Sequence, residues 1–216
     1  MIRSVFISPI LKLDKYKSEY FFIYSNWLKF FKSINFKVNT NYNTAKNEID
    51  ATVKQNKALI LCGGGDINKL KKNKISLKRD IFEKKLIKSF LKNKKPILAV
   101  CRGFQLIASL NSGKFNKSKK HVRKTHNLII NKNSKFVKFR KLTTNSFHNN
   151  VVKSLNKEFN IVARSNDNYI EIAENKKKKI LCFMFHPERY NKSKIQIKTI
   201  VKKFINGSTY ISSRKR

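Results

Sequence analysis

The chain has 216 residues, 40% of them hydrophobic, enough for one domain with a sizeable core. It carries 50 Lys and Arg against 12 Asp and Glu, a formal net charge of +38, a field that attracts phosphate-bearing molecules. No run is long and apolar enough to span a bilayer, no N-terminal apolar segment leads to a small-residue cleavage site, and Cys62, Cys101 and Cys182 are too widely spaced for a disulfide framework or a zinc knuckle; the expectation is a soluble, cytoplasmic protein with free thiols.

In chain order, residues 4–9 read as a short strand, and Trp27, Phe30, Phe31 and Ile34 fall at i, i+3, i+4 and i+7 on one helix face. Residues 36–39 are a second strand candidate and 48–55 a short helix. Residues 58–62 form a continuous apolar run that stops at Gly63, Gly64 and Gly65, the pattern of a buried parallel strand feeding a loop. Residues 80–93 place Phe82, Leu86, Phe90 and Leu91 on one helical stripe, 97–100 form a strand, and a helix runs from Gly103 to about Leu110. The stretch 112–141 is basic and irregular, with strand candidates at 127–130 and 136–139. Residues 159–163 and 169–173 read as strands, 180–185 is apolar and ends at His186, and 194–205 alternates Ile and Val with Lys at helical spacing. Strand–helix alternation with apolar strands predicts one α/β domain with a mainly parallel sheet over residues 1–216, with a basic tail at 206–216.

The lysines are spread over nearly every polar segment, with runs at 69–74, 117–124 and 176–179, and there is no Arg-rich arm or recurring aromatic–basic motif. Asn, Ile and Phe are abundant too, as A/T-rich codons would supply. This favours compositional drift over a dedicated nucleic-acid surface.

In sheets of this kind ligands bind beyond the carboxyl ends of the strands. Gly63–Asp66, Cys101 and the run His186-Pro187-Glu188 all fall there. Cys101 ends an apolar strand just before a helix, beside the partial positive charge of a helix N-terminus, where a thiol is a better nucleophile. His186 is placed to take its proton, and Glu188 to orient His186, the three roles of a nucleophile–base–orienter triad. Gly64 and Gly65 can present backbone N–H groups without a Cβ in the way, and with the N–H of Arg102 they are candidates for an oxyanion hole.

Together Leu61-Cys62-Gly63-Gly64-Gly65-Asp66, Cys101-Arg102-Gly103-Phe104-Gln105, Asn145-Ser146-Phe147-His148 and His186-Pro187-Glu188-Arg189 make the chain resemble the class I glutamine amidotransferase-like family, in its γ-glutamyl hydrolase branch (peptidase C26). The resemblance runs from about Ile7 to Arg189. It implies a flavodoxin-like three-layer αβα sandwich, a Cys101–His186–Glu188 triad and an oxyanion hole near Gly64, Gly65 and Arg102. It also implies that Gly63, Gln105 and the segment Ser146, Phe147, His148 and Asn149 hold a small γ-glutamyl substrate. His121 and His126 resemble a His-x(4)-His element of the hydrolase branch. Their basic neighbours, Lys119, Lys120, Arg123 and Lys124, argue for pocket-wall histidines, so neither a metal nor a cofactor is expected.

The implied reaction cleaves a γ-glutamyl amide through a thioester. The compact segment between Gly113 and His121 resembles relatives that act on a nucleotide-linked amidate in surface-polysaccharide synthesis. Tyr20-Phe21-Phe22 departs from the Arg-Asp pair those relatives often carry. Two rivals stand beside this reading. One is a glutaminase subunit that passes ammonia to a separate synthase partner. The other is a basic nucleic-acid-binding protein on an inactive scaffold, against which the intact triad argues.

Overall fold

The computed structural model describes residues 3–207. The expected basic tail therefore lies, from residue 208 onward, outside the described residues, and Asn206 itself ends the last helix. The elements are β1 (Arg3–Ser8), β2 (Ile10–Leu13), β3 (Glu19–Phe22), α1 (Ser25–Lys32), β4 (Phe36–Asn39), α2 (Lys46–Gln55), β5 (Leu59–Leu61), α3 (Lys74–Lys92), β6 (Ile97–Val100), α4 (Arg102–Ser109), β7 (Lys114–Lys117), a 3-10 turn (Lys119–His121), β8 (Val122–Ile129), β9 (Lys141–Phe147), β10 (Asn150–Ser154), β11 (Asn160–Arg164), β12 (Ile170–Asn175), β13 (Ile180–Phe183) and α5 (Lys194–Asn206).

The main sheet runs β4-β1-β5-β6-β13-β12-β10-β7, with β11 on β12. Its first five strands are parallel, and among themselves they follow the 2-1-3-4-5 order of flavodoxin-like folds. Antiparallel β12, β10 and β7 extend it, so the parallel character belongs to the half that carries the thiol. Strand residues alternate between two buried faces. Val5, Ile7, Ile60, Leu98 and Val100 pack with Trp27 and Phe31 of α1 and Ile197 and Val201 of α5. Phe6, Leu59, Leu61, Ile97 and Ala99 pack with Ile49 of α2, Phe82, Leu86 and Phe90 of α3 and Phe104 of α4. That double burial explains why these strands read as continuous apolar runs and yields the three-layer sandwich.

Two expectations need correction. Residues 136–139 are not a strand: Ser134, Lys135 and Phe136 give their hydroxyl and N–H groups to the Glu174 carboxylate, and Phe136 packs edge-on against Phe204 at 4.9 Å. A side chain satisfies the donors there, so apolar burial occurs without a ladder. Helix α3 begins at Lys74, six residues before the expected 80, because the Asn73 side chain accepts from the N–H groups of Ile75 and Ser76 (2.9 and 3.2 Å). Its buried face includes Arg79, Asp80 and Glu83, charged residues that interrupt an apolar stripe. The β2–β3 hairpin and β9 are further elements that periodicity did not reveal, and β8, which begins at Val122 and ends at Ile129, takes in most of the strand expected at 127–130.

The register pairs Leu61 with Ala99 and Val100 with Phe183, so the carboxyl ends of β5, β6 and β13 lie side by side. The glycine loop, Cys101 and His186 leave the sheet from these three ends.

Candidate active site

Cys101 has φ 51° and ψ −105°, a left-handed conformation that costs a non-glycine residue about 1–3 kcal/mol. The surroundings hold it there. Its N–H donates to Phe183 O (2.7 Å), and its carbonyl accepts from Gln105 N (2.9 Å), the first bond of α4. Two residues on, a Cβ at Gly103 would run into the Leu61 carbonyl, so glycine is required for the helix to pass so close to β5. The result is a sharp strand–turn–helix elbow with the thiol at the N-terminus of α4.

His186 follows β13 and is fixed by its backbone. Its N–H donates to Asn145 Oδ1 (2.9 Å), and its carbonyl accepts from Asn145 Nδ2 and Asn191 Nδ2 (both 2.8 Å). Its Nδ1 donates to Glu188 Oε1 at 2.7 Å. Burial pulls the imidazole toward its neutral form, but the facing Cys101 sulfur and the Glu188 carboxylate outweigh it and push the pKa up to about 10. The structure thus brings Cys101, His186 and Glu188 into one contact chain. Gly63 closes over it so tightly that a Cβ would sit 2.5 Å from His186 Cε1 and 3.3 Å from the Cys101 Cβ.

Gly64 and Gly65 adopt left-handed backbones, φ 99° and 74°, which only glycine takes without strain. Behind them, Arg79 donates to the carbonyls of Gly64 (2.7 Å) and Cys62 (2.9 Å) and to Glu83 (2.9 Å). The Arg102 side chain completes this buried network by pairing with Glu83 and Asp80, and Ser8 Oγ donates to Glu83 at 2.8 Å. Burial would raise the Glu83 carboxyl, yet Arg102 and Arg79 hold it below its ordinary range. The Arg102 side chain is therefore structural, while its backbone N–H lies in the first turn of α4, where donors lack an intrahelical acceptor.

The expected substrate residues divide. Gln105 is buried, its Nε2 donating to Asn150 O (3.1 Å) while its Oε1 has no partner among the described residues. Asn150 in turn donates to Asp66 (2.8 Å). Phe147 is exposed, with its ring 6.2 Å from that of His186 and 4.6 Å from the Arg189 guanidinium. Asn149 is exposed as well. Ser146 and His148 point elsewhere: Ser146 Oγ donates to His121 O (2.6 Å) and lies 3.1 Å from His148 Nε2, in a buried cluster around His121. There His121 meets His126, Asp167 and Glu171. Asn145, Asn191, Arg79 and Glu83 are positioning residues to which the sequence reading gave no role; Asn145 stood in the motif Asn145-Ser146-Phe147-His148, and the i,i+4 spacing of Arg79 and Glu83 was a further signal.

A cleft of about 320 Å³ adjoins Phe147, edged by Arg123, Lys124, Arg189, Tyr190 and Lys192. A second, about 330 Å³, lies beside Gly64 and Gly65 with Lys12 and Lys71 on its rim. The larger hollows near Arg3 and Asn206 contain none of the candidate residues.

The Peptidase C26 family matches residues 20–188. The chain is 36% identical over 135 residues to a gamma-glutamyl-CDP-amidate hydrolase of Campylobacter jejuni, covering 62% of this chain and 64% of that protein. It is 30% identical over 147 residues to a subunit of the glutamine-hydrolyzing GMP synthase of Methanocaldococcus jannaschii, covering 67% and 71%. In fold it is similar to a putative GMP synthase subunit from Thermoplasma acidophilum, with a TM-score of 0.72 and 15% identity over 96% of each chain. A glutamine amidotransferase from Thermotoga maritima gives 0.68 and 13% identity over 96% of this chain and 98% of that one. The matched segments span 64% and 61% of the lengths of two curated relatives. With its flavodoxin-like sheet and the family match across residues 20–188, this chain belongs to the Peptidase C26 family of class I glutamine amidotransferase-like proteins.

Proposed function

We propose that the chain is a single-domain, cysteine-dependent hydrolase of γ-glutamyl amides, with Cys101, His186 and Glu188 as its triad. The observation that carries this reading is the strained Cys101 elbow facing a His186 that Glu188 holds at 2.7 Å. The Cys101 sulfur attacks the γ-carbonyl carbon. Negative charge moves onto the carbonyl oxygen, where backbone N–H groups of Gly64, Gly65 and Arg102 receive it. One such donor supplies about 2.7–4 kcal/mol. Collapse of the tetrahedral species breaks the C–N bond. His186, protonated at the start, gives its proton to the departing amine. The now neutral imidazole takes a proton from water, whose oxygen attacks the thioester. Glutamate leaves, and the Cys101 sulfur and the protonated His186 return to their starting state.

For the leaving amine, the cleft beside Phe147 supports a small anionic group. Arg123, Lys124, Arg189 and Lys192 suit phosphates, and Phe147 and Tyr190 offer aromatic faces. A nucleotide-linked γ-glutamyl amide fits that chemistry, and it matches the activity for which the Campylobacter relative is named. A second reading, a glutaminase subunit serving a separate synthase, draws on the GMP synthase relatives. The test is glutamate release by the full chain alone from a panel of γ-glutamyl amides, with and without a nucleotide on the amine. Release that Cys101→Ser abolishes supports the hydrolase. Release from glutamine only after a synthase is added supports the second reading. Equal rates in wild type and Cys101→Ser reject both.

A further inference from the structure

Three of the chain's four histidines lie outside the Cys101–His186 pair, gathered in one buried cluster with two of its 12 acidic residues. Glu171, on β12, is fully buried, and neither carboxylate oxygen has a hydrogen bond among the described residues. Its Oε1 faces three ring nitrogens: His121 Nδ1 at 3.2 Å, His148 Nε2 at 3.7 Å and His126 Nε2 at 3.9 Å. His126 Nε2 and His121 Nδ1 are 3.0 Å apart. The reactive atoms of His121, His148 and Glu171 all lie within 4.8 Å of one another.

Proton counting leaves Glu171 short of donors in this arrangement. His121 Nε2 lies 3.1 and 3.0 Å from the two oxygens of Asp167, a carboxylate that can only accept, so the ring proton sits on Nε2. In the neutral tautomer His121 Nδ1 presents a lone pair that can accept a proton from His126 Nε2, 3.0 Å away, which leaves both Glu171 oxygens without a donor; a second proton on His121 would serve Oε1 and still leave Oε2 with none. A fully buried carboxylate with an oxygen left without a donor is costly unless a cation stands against it. Four of the six edges, at 3.0, 3.2, 3.7 and 3.9 Å, lie near the roughly 3.3 Å edge of a tetrahedral zinc site, and the wider spread of His121, His148 and Glu171, up to 4.8 Å, requires the side chains to draw in around the ion.

We propose that His121, His126, His148 and Glu171 bind one tetrahedral divalent transition-metal ion, zinc above all, with Asp167 orienting His121 from behind. The carboxylate–histidine–metal arrangement is the usual way a ligating imidazole is held in its tautomer. Two carboxylates balance the ion's charge. The basic neighbours that argued against a cation, Lys119, Lys120, Arg123 and Lys124, are all exposed and solvated rather than turned inward. Entry lies on the side of His126 and Asp167, whose side chains are 14% and 29% exposed. Four protein ligands leave no open position, which marks a structural rather than a catalytic site. The ion would tie together the 3-10 turn, β8, β12 and the β9–β10 turn, and so fix Phe147 beside His186.

The test uses untagged full-length protein stripped with a chelator and titrated with Co²⁺ and Zn²⁺. Expected are one equivalent of Co²⁺ with intense tetrahedral visible bands and no thiolate charge-transfer band, displacement by Zn²⁺, and a melting temperature raised by Zn²⁺. Binding should persist in Cys101→Ser, disappear in Glu171→Gln, and weaken about 10–100-fold in Asp167→Asn. Should Glu171→Gln fail to fold, His126→Gln at the open edge serves instead, with loss of the tetrahedral spectrum expected. A wild type that binds neither ion, binding that survives both Glu171→Gln and His126→Gln, or binding lost in Cys101→Ser would overturn the proposal. The last result would place the ion at the thiol.

Discussion

Replacing Gly63 by alanine puts a methyl carbon 2.5 Å from His186 Cε1 and 3.3 Å from both His186 Nε2 and the Cys101 Cβ. Carbon atoms in contact settle at about 3.5–4.0 Å, so the imidazole must retreat by about 1 Å. Gly63 does not itself have a left-handed backbone, so the substitution strains the site rather than the chain. A misplacement of about 1 Å typically costs about a hundredfold in rate, or ~2.7 kcal/mol of activation free energy. The expected result is therefore a kcat for glutamate release down about a hundredfold with KM little changed. Gly113→Ala is the control: its Cβ would meet the Ala108 carbonyl oxygen at 2.7 Å, a comparable clash at the far end of α4. It should lower the melting temperature and leave kcat in place. A wild-type kcat in Gly63→Ala would refute the reasoning, as would an equal kcat loss in Gly113→Ala.

Burial pushes the Cys62 thiol up to about 11 and raises Cys182 well above its usual range, so iodoacetamide at neutral pH should label native protein at Cys101 and not at the other two; mass mapping of more than one labelled site contradicts this. Glu188 is one of the two groups that raise His186 against the pull of burial, so Glu188→Gln should move the alkaline limb of the activity profile to lower pH, and an unmoved limb would remove Glu188 from the triad. Because His186 stands at about 10, above its ordinary 6.5, its stabilising contribution is complete below about pH 6.5 and fades as pH rises toward 10. The melting-temperature gap between wild type and His186→Gln should narrow over that window. Glu83→Gln leaves Arg79 and Arg102 short of a buried counter-charge and should cost about 3–5 kcal/mol in denaturant unfolding; an unchanged midpoint would mean the network is not closed as described.

The parallel half of the sheet was legible in the sequence because both faces of β5, β6 and β13 are covered, leaving uninterrupted apolar runs such as residues 58–62. The elbow was legible too, since Gly63 and Gly103 stand where a Cβ has no room and Cys101 ends one of those runs. The antiparallel edge was harder to read. β7 and β8 are largely exposed strands whose lysines carry no periodicity, and residues 136–139 bury apolar side chains without pairing because Glu174 takes their backbone donors. The roles of Arg79, Asn145 and Glu171 were invisible for another reason. Each acts through a partner far along the chain: Gly64, His186 and His121. A single sequence does not encode that adjacency as spacing.

The covalent intermediate is the most direct test. Wild-type protein mixed with a γ-glutamyl amide and quenched in acid should yield one γ-glutamyl group on the peptide that contains Cys101, in an adduct that hydroxylamine removes. The adduct should be absent from Cys101→Ser. Turnover with no adduct at Cys101, or an adduct on Cys62 or Cys182, would contradict the assignment of Cys101 as the nucleophile.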